Sequence, residues 1–100
     1  IAVDPGIGFG KTLDHNLEII ANVDTYHGLN CALVIGVSRK SFIGQLANIK
    51  VAGDRTPGSI AAALAARARG VQIFRVHDVA ETRQAFTVWE AIQEIRYRIN

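Results

Sequence analysis

The sequence predicts a parallel α/β domain assembled from strand–helix units. Strand-like apolar runs and helix-period segments alternate along the chain. The central apolar run, residues 31–37, is broken only by Gly36, a pattern that suits a strand buried on both faces. The connections are short and hold glycine or proline at the expected turning points. Three units cannot close a barrel, so two architectures fit: a slice of a (β/α)8 barrel or half of a doubly wound sheet. Each crossover is expected to be right-handed.

The elements follow in order. Residues 1–3 end a first strand. Thr12 or Asp14 can cap a helix over about 15–26, with Leu17, Ile20 and Val23 as its apolar face and Gly28 just past its end. The second strand is the apolar run 31–37. Residues 38–48 turn and form a short helix carrying Phe42, Ile43 and Leu46. A loop is expected over 51–55. Thr56 then caps a helix with Pro57 at its first position, where the missing N–H costs nothing. The alanine-rich run 60–68 favours helix, and its small side chains permit close approach to a sheet. Gly70 ends it, and 71–76 form the third strand. The last helix spans about 79–99, with Thr82, Ala85, Phe86, Trp89, Ile92 and Ile95 on its buried face.

Composition bounds the function. The chain has 100 residues, 49% hydrophobic and 20% charged, as for one small globular domain. A net charge of +2 with scattered arginines argues against nucleic acid. No apolar run approaches the roughly 18 residues of a membrane span. The single Cys31 cannot form an internal disulfide, and a buried thiol in a reducing cytoplasm is expected. The chain holds no methionine and opens inside a strand pattern, so a piece of a longer protein is expected.

Chemistry gathers at three strand ends. Asp4-Pro5-Gly6-Ile7-Gly8-Phe9-Gly10-Lys11 places a carboxylate before a glycine-rich turn. Asp4 can accept hydrogen bonds from the N–H edge of a heterocycle, or simply close the Asp-Pro-Gly turn. Phe9, between two glycines, suits a lid or stacking face. In Gly36-Val37-Ser38-Arg39-Lys40, alternate residues Gly36, Ser38 and Lys40 share one strand parity, unless the chain leaves strand geometry by Lys40. Arg75 and His77 share a face on the third strand. Lys40 can donate to a ring carbonyl. Arg75 and His77 can hold an anion through charge-assisted hydrogen bonds, or pair with Asp78 or Glu81. His15, Tyr26 and His27 read as surface residues. Gly10-Lys11-Thr12 ends like a P-loop, but Pro5 stands where that pattern needs glycine and removes an N–H.

These motifs, with His15-Asn16, Ser41-Phe42, Arg55-Thr56-Pro57-Gly58-Ser59 and Arg75-Val76-His77-Asp78-Val79, resemble the dihydropteroate synthase family over the whole chain. The resemblance implies the last three βα units of a (β/α)8 TIM barrel, with residues 1–100 as the C-terminal portion of one pterin-binding domain. It implies that p-aminobenzoate attacks a dihydropterin pyrophosphate, releasing pyrophosphate, with Mg2+ assisting and its ligand lying upstream. By position, Asp4 would bind the pterin's amino-pyrimidine edge, and Lys40 the carbonyl side. Gly36 would leave room for the ring. Phe9 and Ser38 would border the p-aminobenzoate pocket. Arg75 would stack beside the pterin and, with His77, hold pyrophosphate oxygens. Arg39 would support the residues that touch substrate. A homodimer through the C-terminal helices is implied as well, and the isolated chain is expected to be inactive. Two alternatives are a pterin- or folate-binding methyltransferase domain with a cobalamin partner, and a non-catalytic dimerisation remnant.

Overall fold

A computed structural model describes residues 2–3, 5–8, 12–23 and 32–99. Three parallel strands lie side by side in chain order: β1 (Ala2–Val3), β2 (Ala32–Ile35) and β3 (Ile73–Phe74). Ala2 pairs with Ala32, and Val34 with Ile73. Four helices intervene or follow: α1 (Leu13–Ala21), α2 (Ser41–Ala47), α3 (Thr56–Ala68) and α4 (Val79–Ile99). α1 packs on α3 and α3 on α4, so the helices keep the order of the strands. Ile7, Ile20, Val23, Ile35, Val37, Phe42, Ile43, Ala63, Ala66 and Val71 form the core.

Local chemistry explains most boundaries. The Thr12 hydroxyl accepts from the His15 amide at 3.2 Å and caps α1, one of the two expected caps. α1 stops at Ala21 rather than near 26, because Asn22 leaves helical geometry and bonds back to the Glu18 carbonyl through its backbone and side chain. Gly28 and Cys31 lie outside the described residues. Gly70 adopts φ 94°, and the amides of Gly70 and Val71 bond the carbonyls of Arg67 and Ala66, so a left-handed glycine closes α3. That closure holds Val71 at the helix end, which is why β3 is shorter than the expected 71–76.

Other expectations are corrected. Residues 52–55 form a 3-10 turn, not an open loop, and lead directly into α3. Thr56 does not cap α3; its hydroxyl donates to Asp78 instead, at 3.0 Å. Leu46 is exposed. On α4, Thr82 is buried and Phe86 meets Phe74 edge-on at 5.0 Å, but Ile92 and Ile95 are 63% and 50% exposed. This 21-residue helix packs on α3 and, through Phe86, on Phe74 of β3. Trp89 is half-buried, with the Arg67 guanidinium 5.8 Å from its ring. No helix among the described residues is long and apolar enough to cross a membrane.

Candidate active site at the strand carboxyl ends

Gly36, Val37 and Ser38 continue from β2, and Arg75, Val76 and His77 from β3. The Arg75 amide bonds the Ile35 carbonyl at 3.1 Å, extending the pairing one residue beyond the strand. Gly36, Ser38, Lys40, Arg75, Val76 and His77 line one pocket of about 270 Å³. The two strand ends therefore converge as their alternating faces predict. The pocket opens at the carboxyl edge of the parallel sheet, where α/β folds bind ligands.

Gly36 leaves room for its neighbour. A Cβ there would stand 2.7 Å from Arg75 Nη2, so the missing side chain is the space the guanidinium occupies. Lys40 crosses to the first strand end. Its Nζ donates to the Ile7 carbonyl at 3.1 Å, and a Cβ on Gly8 would stand 3.2 Å from its Cδ. The Gly8 amide in turn donates to Asn16 Oδ1 at 2.9 Å. Asn16 is buried on α1 and secures the first loop beneath Lys40.

Arg39 turns the chain between Ser38 and Lys40. It adopts φ 56°, which costs a non-glycine residue about 1–2 kcal/mol. Three partners hold it there. Its amide donates to Ser59 Oγ at 2.8 Å, and its carbonyl accepts from Arg55 Nη1 at 3.1 Å. Its guanidinium bonds Asp78 at 2.7 and 3.3 Å. The Ser59 hydroxyl donates to the Arg55 carbonyl, and the Arg55 guanidinium donates to the carbonyls of Ile49 and Lys50. The hydrogen bond from Arg39 holds the Asp78 carboxyl below the usual carboxylate range; burial opposes this and the Thr56 hydroxyl adds to it. The same bond raises the Arg39 guanidinium above its ordinary value.

A family model described as pterin binding enzyme matches residues 1–77. The chain belongs to the pterin binding enzyme family. It is 47% identical over 91 residues to dihydropteroate synthase of Escherichia coli K12, covering 91% of this chain and 32% of that one. A crystal structure of dihydropteroate synthase from Stenotrophomonas maltophilia superimposes with a TM-score of 0.90 at 39% identity, over 92% of this chain and 35% of the other. The Xanthomonas albilineans synthase in complex with 7,8-dihydropteroate gives 0.90 at 42% identity, over 92% and 35%. The resemblance read from the motifs is borne out. The chain spans about a third of the length of the curated relatives it matches.

Within this pterin binding enzyme segment, Gly36, Ser38, Lys40, Arg75 and His77 meet in one pocket. Asp4 and Phe9 lie outside the described residues. Asp78 makes its salt bridge with Arg39, and His77 adds a weaker electrostatic influence on the same carboxylate. Sequence reasoning gave no supporting role to Asn16, Arg55 or Ser59, and offered Asp78 only as an alternative partner of Arg75 or His77. Their signal was faint: Arg55, Thr56 and Ser59 stood in one motif, but their partners lie on other elements. Among the described residues, no three His, Cys, Asp or Glu side chains gather as a metal site.

Proposed function

We propose that this chain is the C-terminal portion of a dihydropteroate synthase. It would supply the last three βα units of a (β/α)8 barrel within a single pterin-binding domain. The complete enzyme would condense 6-hydroxymethyl-7,8-dihydropterin pyrophosphate with p-aminobenzoate to give 7,8-dihydropteroate and pyrophosphate. The observation that carries this is the pocket in which Gly36, Ser38, Lys40, Arg75 and His77 converge.

Each residue is assigned a part, those of Asp4 and Phe9 resting on their motif alone. Lys40, tethered to the Ile7 carbonyl, donates to the pterin carbonyl side. Asp4 binds the amino-pyrimidine edge, and Phe9 and Ser38 border the p-aminobenzoate pocket. Arg75, admitted by Gly36, stacks beside the pterin. Arg75 and His77 hold pyrophosphate oxygens. As the bond to pyrophosphate lengthens, negative charge grows on the leaving oxygen. Fixed donors at that place stabilise the transition state more than the ground state.

Mg2+ would add charge to the leaving group when bound. Its ligand would lie upstream of this chain. A cytoplasmic homodimer through the C-terminal helices completes the proposal, supported by the exposed Val88, Ile92 and Ile95 on α4.

The test is Lys40→Ala in the complete protein. Dihydropteroate formation should fall by about a hundredfold or more. Near-normal turnover would overturn the site assignment.

A further inference from the structure

Ser38 is 6% exposed, and its hydroxyl meets two nitrogens of one residue. The His77 amide donates to Ser38 Oγ at 3.1 Å. His77 Nδ1 lies 2.9 Å from the same oxygen. The amide is always a donor, so it consumes one lone pair of the oxygen. The hydroxyl proton of this buried serine then needs an acceptor, and Nδ1 is the one within reach among the described residues. If Nδ1 carried the proton instead, Oγ would accept twice and its own proton would have no partner. An unsatisfied buried donor costs about 1–3 kcal/mol.

We infer that Ser38 fixes neutral His77 as the Nε2–H tautomer, making His77 a hydrogen-bond donor toward an anionic phosphate group without requiring imidazolium. Ser38 Oγ–H donates to Nδ1, which leaves the single ring proton on Nε2. His77 and Arg75 line the same pocket, so a neutral donor and a guanidinium face one ligand. The division of labour follows from their chemistry. Arg75 contributes charge and a planar fork, whereas His77 contributes direction. Ser38 is thus a positioning residue for His77, besides bordering the pocket. The Arg39–Asp78 pair lies one residue further along both strand ends and clamps the two turns in this register. The tautomer rests on geometry alone; its use on pyrophosphate rests on the transferase reading.

The experiment uses the full-length protein labelled with 15N-histidine, with the His77 signals assigned by their loss in His77→Gln. In alkaline buffer, His77 should show a pyridine-type Nδ1 and a pyrrole-type Nε2. Ser38→Ala should move both signals toward tautomer averaging, and Ser38→Thr, which keeps the hydroxyl, should restore them. Binding of inorganic pyrophosphate should weaken about tenfold in Ser38→Ala and recover in Ser38→Thr. A protonated Nδ1 in the unsubstituted protein, or signals unchanged by Ser38→Ala, would overturn the inference. The expected tautomer together with no pyrophosphate binding in the unsubstituted protein would uphold the Ser38–His77 assignment and overturn the transferase reading.

Discussion

Arg39 and Asp78 join the turn after β2 to the turn after β3 through two hydrogen bonds, at 2.7 and 3.3 Å. One residue back on each turn, Ser38 meets His77. The two rungs lie side by side and hold the pocket's walls in register. Arg39 does not line that pocket. Its effect on chemistry passes through the residues it positions.

Removing the Asp78 charge should expose this coupling. The folded-state value of Asp78 is depressed, so its contribution to stability is present above the ordinary carboxylate pKa of about 3.9 and is lost as pH falls through the lower folded value. Stability of the complete protein should therefore exceed that of Asp78→Asn at neutral pH. The difference should close in acid below the folded value. Urea unfolding at a series of pH values measures it, and a gap that stayed constant down to pH 2 would refute the linkage.

Gly36→Ala should act on Arg75. The new methyl would stand 2.7 Å from Nη2, so the guanidinium must move out of its place. A displacement of about 1 Å from productive geometry can cost on the order of a hundredfold in rate. Steady-state kinetics on the complete protein should show kcat/KM for the pterin pyrophosphate falling by roughly 10–100-fold. An unchanged value would mean that Arg75 does not work from this position.

Ser59→Ala should destabilise the turn without touching the pocket. It leaves the Arg39 amide without its acceptor, at a cost of about 1–3 kcal/mol if no water replaces the hydroxyl. Denaturant midpoints report this directly. A loss below about 0.5 kcal/mol, the usual scale for surface changes, would show that the left-handed turn needs no such support.

Ile92 tests the proposed dimer. It is 63% exposed on α4, so Ile92→Glu should change the stability of a monomer by less than about 0.5 kcal/mol. If α4 forms the interface, a buried unpaired carboxylate should dissociate the dimer. Sedimentation velocity distinguishes the two; a dimer that survived intact would move the interface elsewhere.

Much of this site was legible from alternation. Gly36 and Ser38, and likewise Arg75 and His77, meet in one pocket as strand parity suggests, whereas Lys40 reaches it from beyond the left-handed turn at Arg39. The parity rule is local, so it holds before any partner strand is known. Thr56 shows where such reasoning fails. A threonine ahead of Pro57 has the signature of a cap, yet its hydroxyl goes to Asp78, 22 residues away. Helical spacing also placed Ile92 and Ile95 on a buried face, although both are exposed. Periodicity shows which face is apolar, not what lies opposite it.

The sequence by itself determined the order of the elements, the parallel class of the sheet and the residues standing at each strand end. Each depends on short-range physics: side-chain periodicity, helix caps and the left-handed freedom of Gly70. Only the tertiary structure decided that Arg39 takes Asp78, that Gly36 yields its space to Arg75, and that Ser38 meets both nitrogens of His77. These partners lie 39 residues apart, and their meeting depends on the register of β2 against β3. A slip of one residue would turn every one of these side chains to the opposite face.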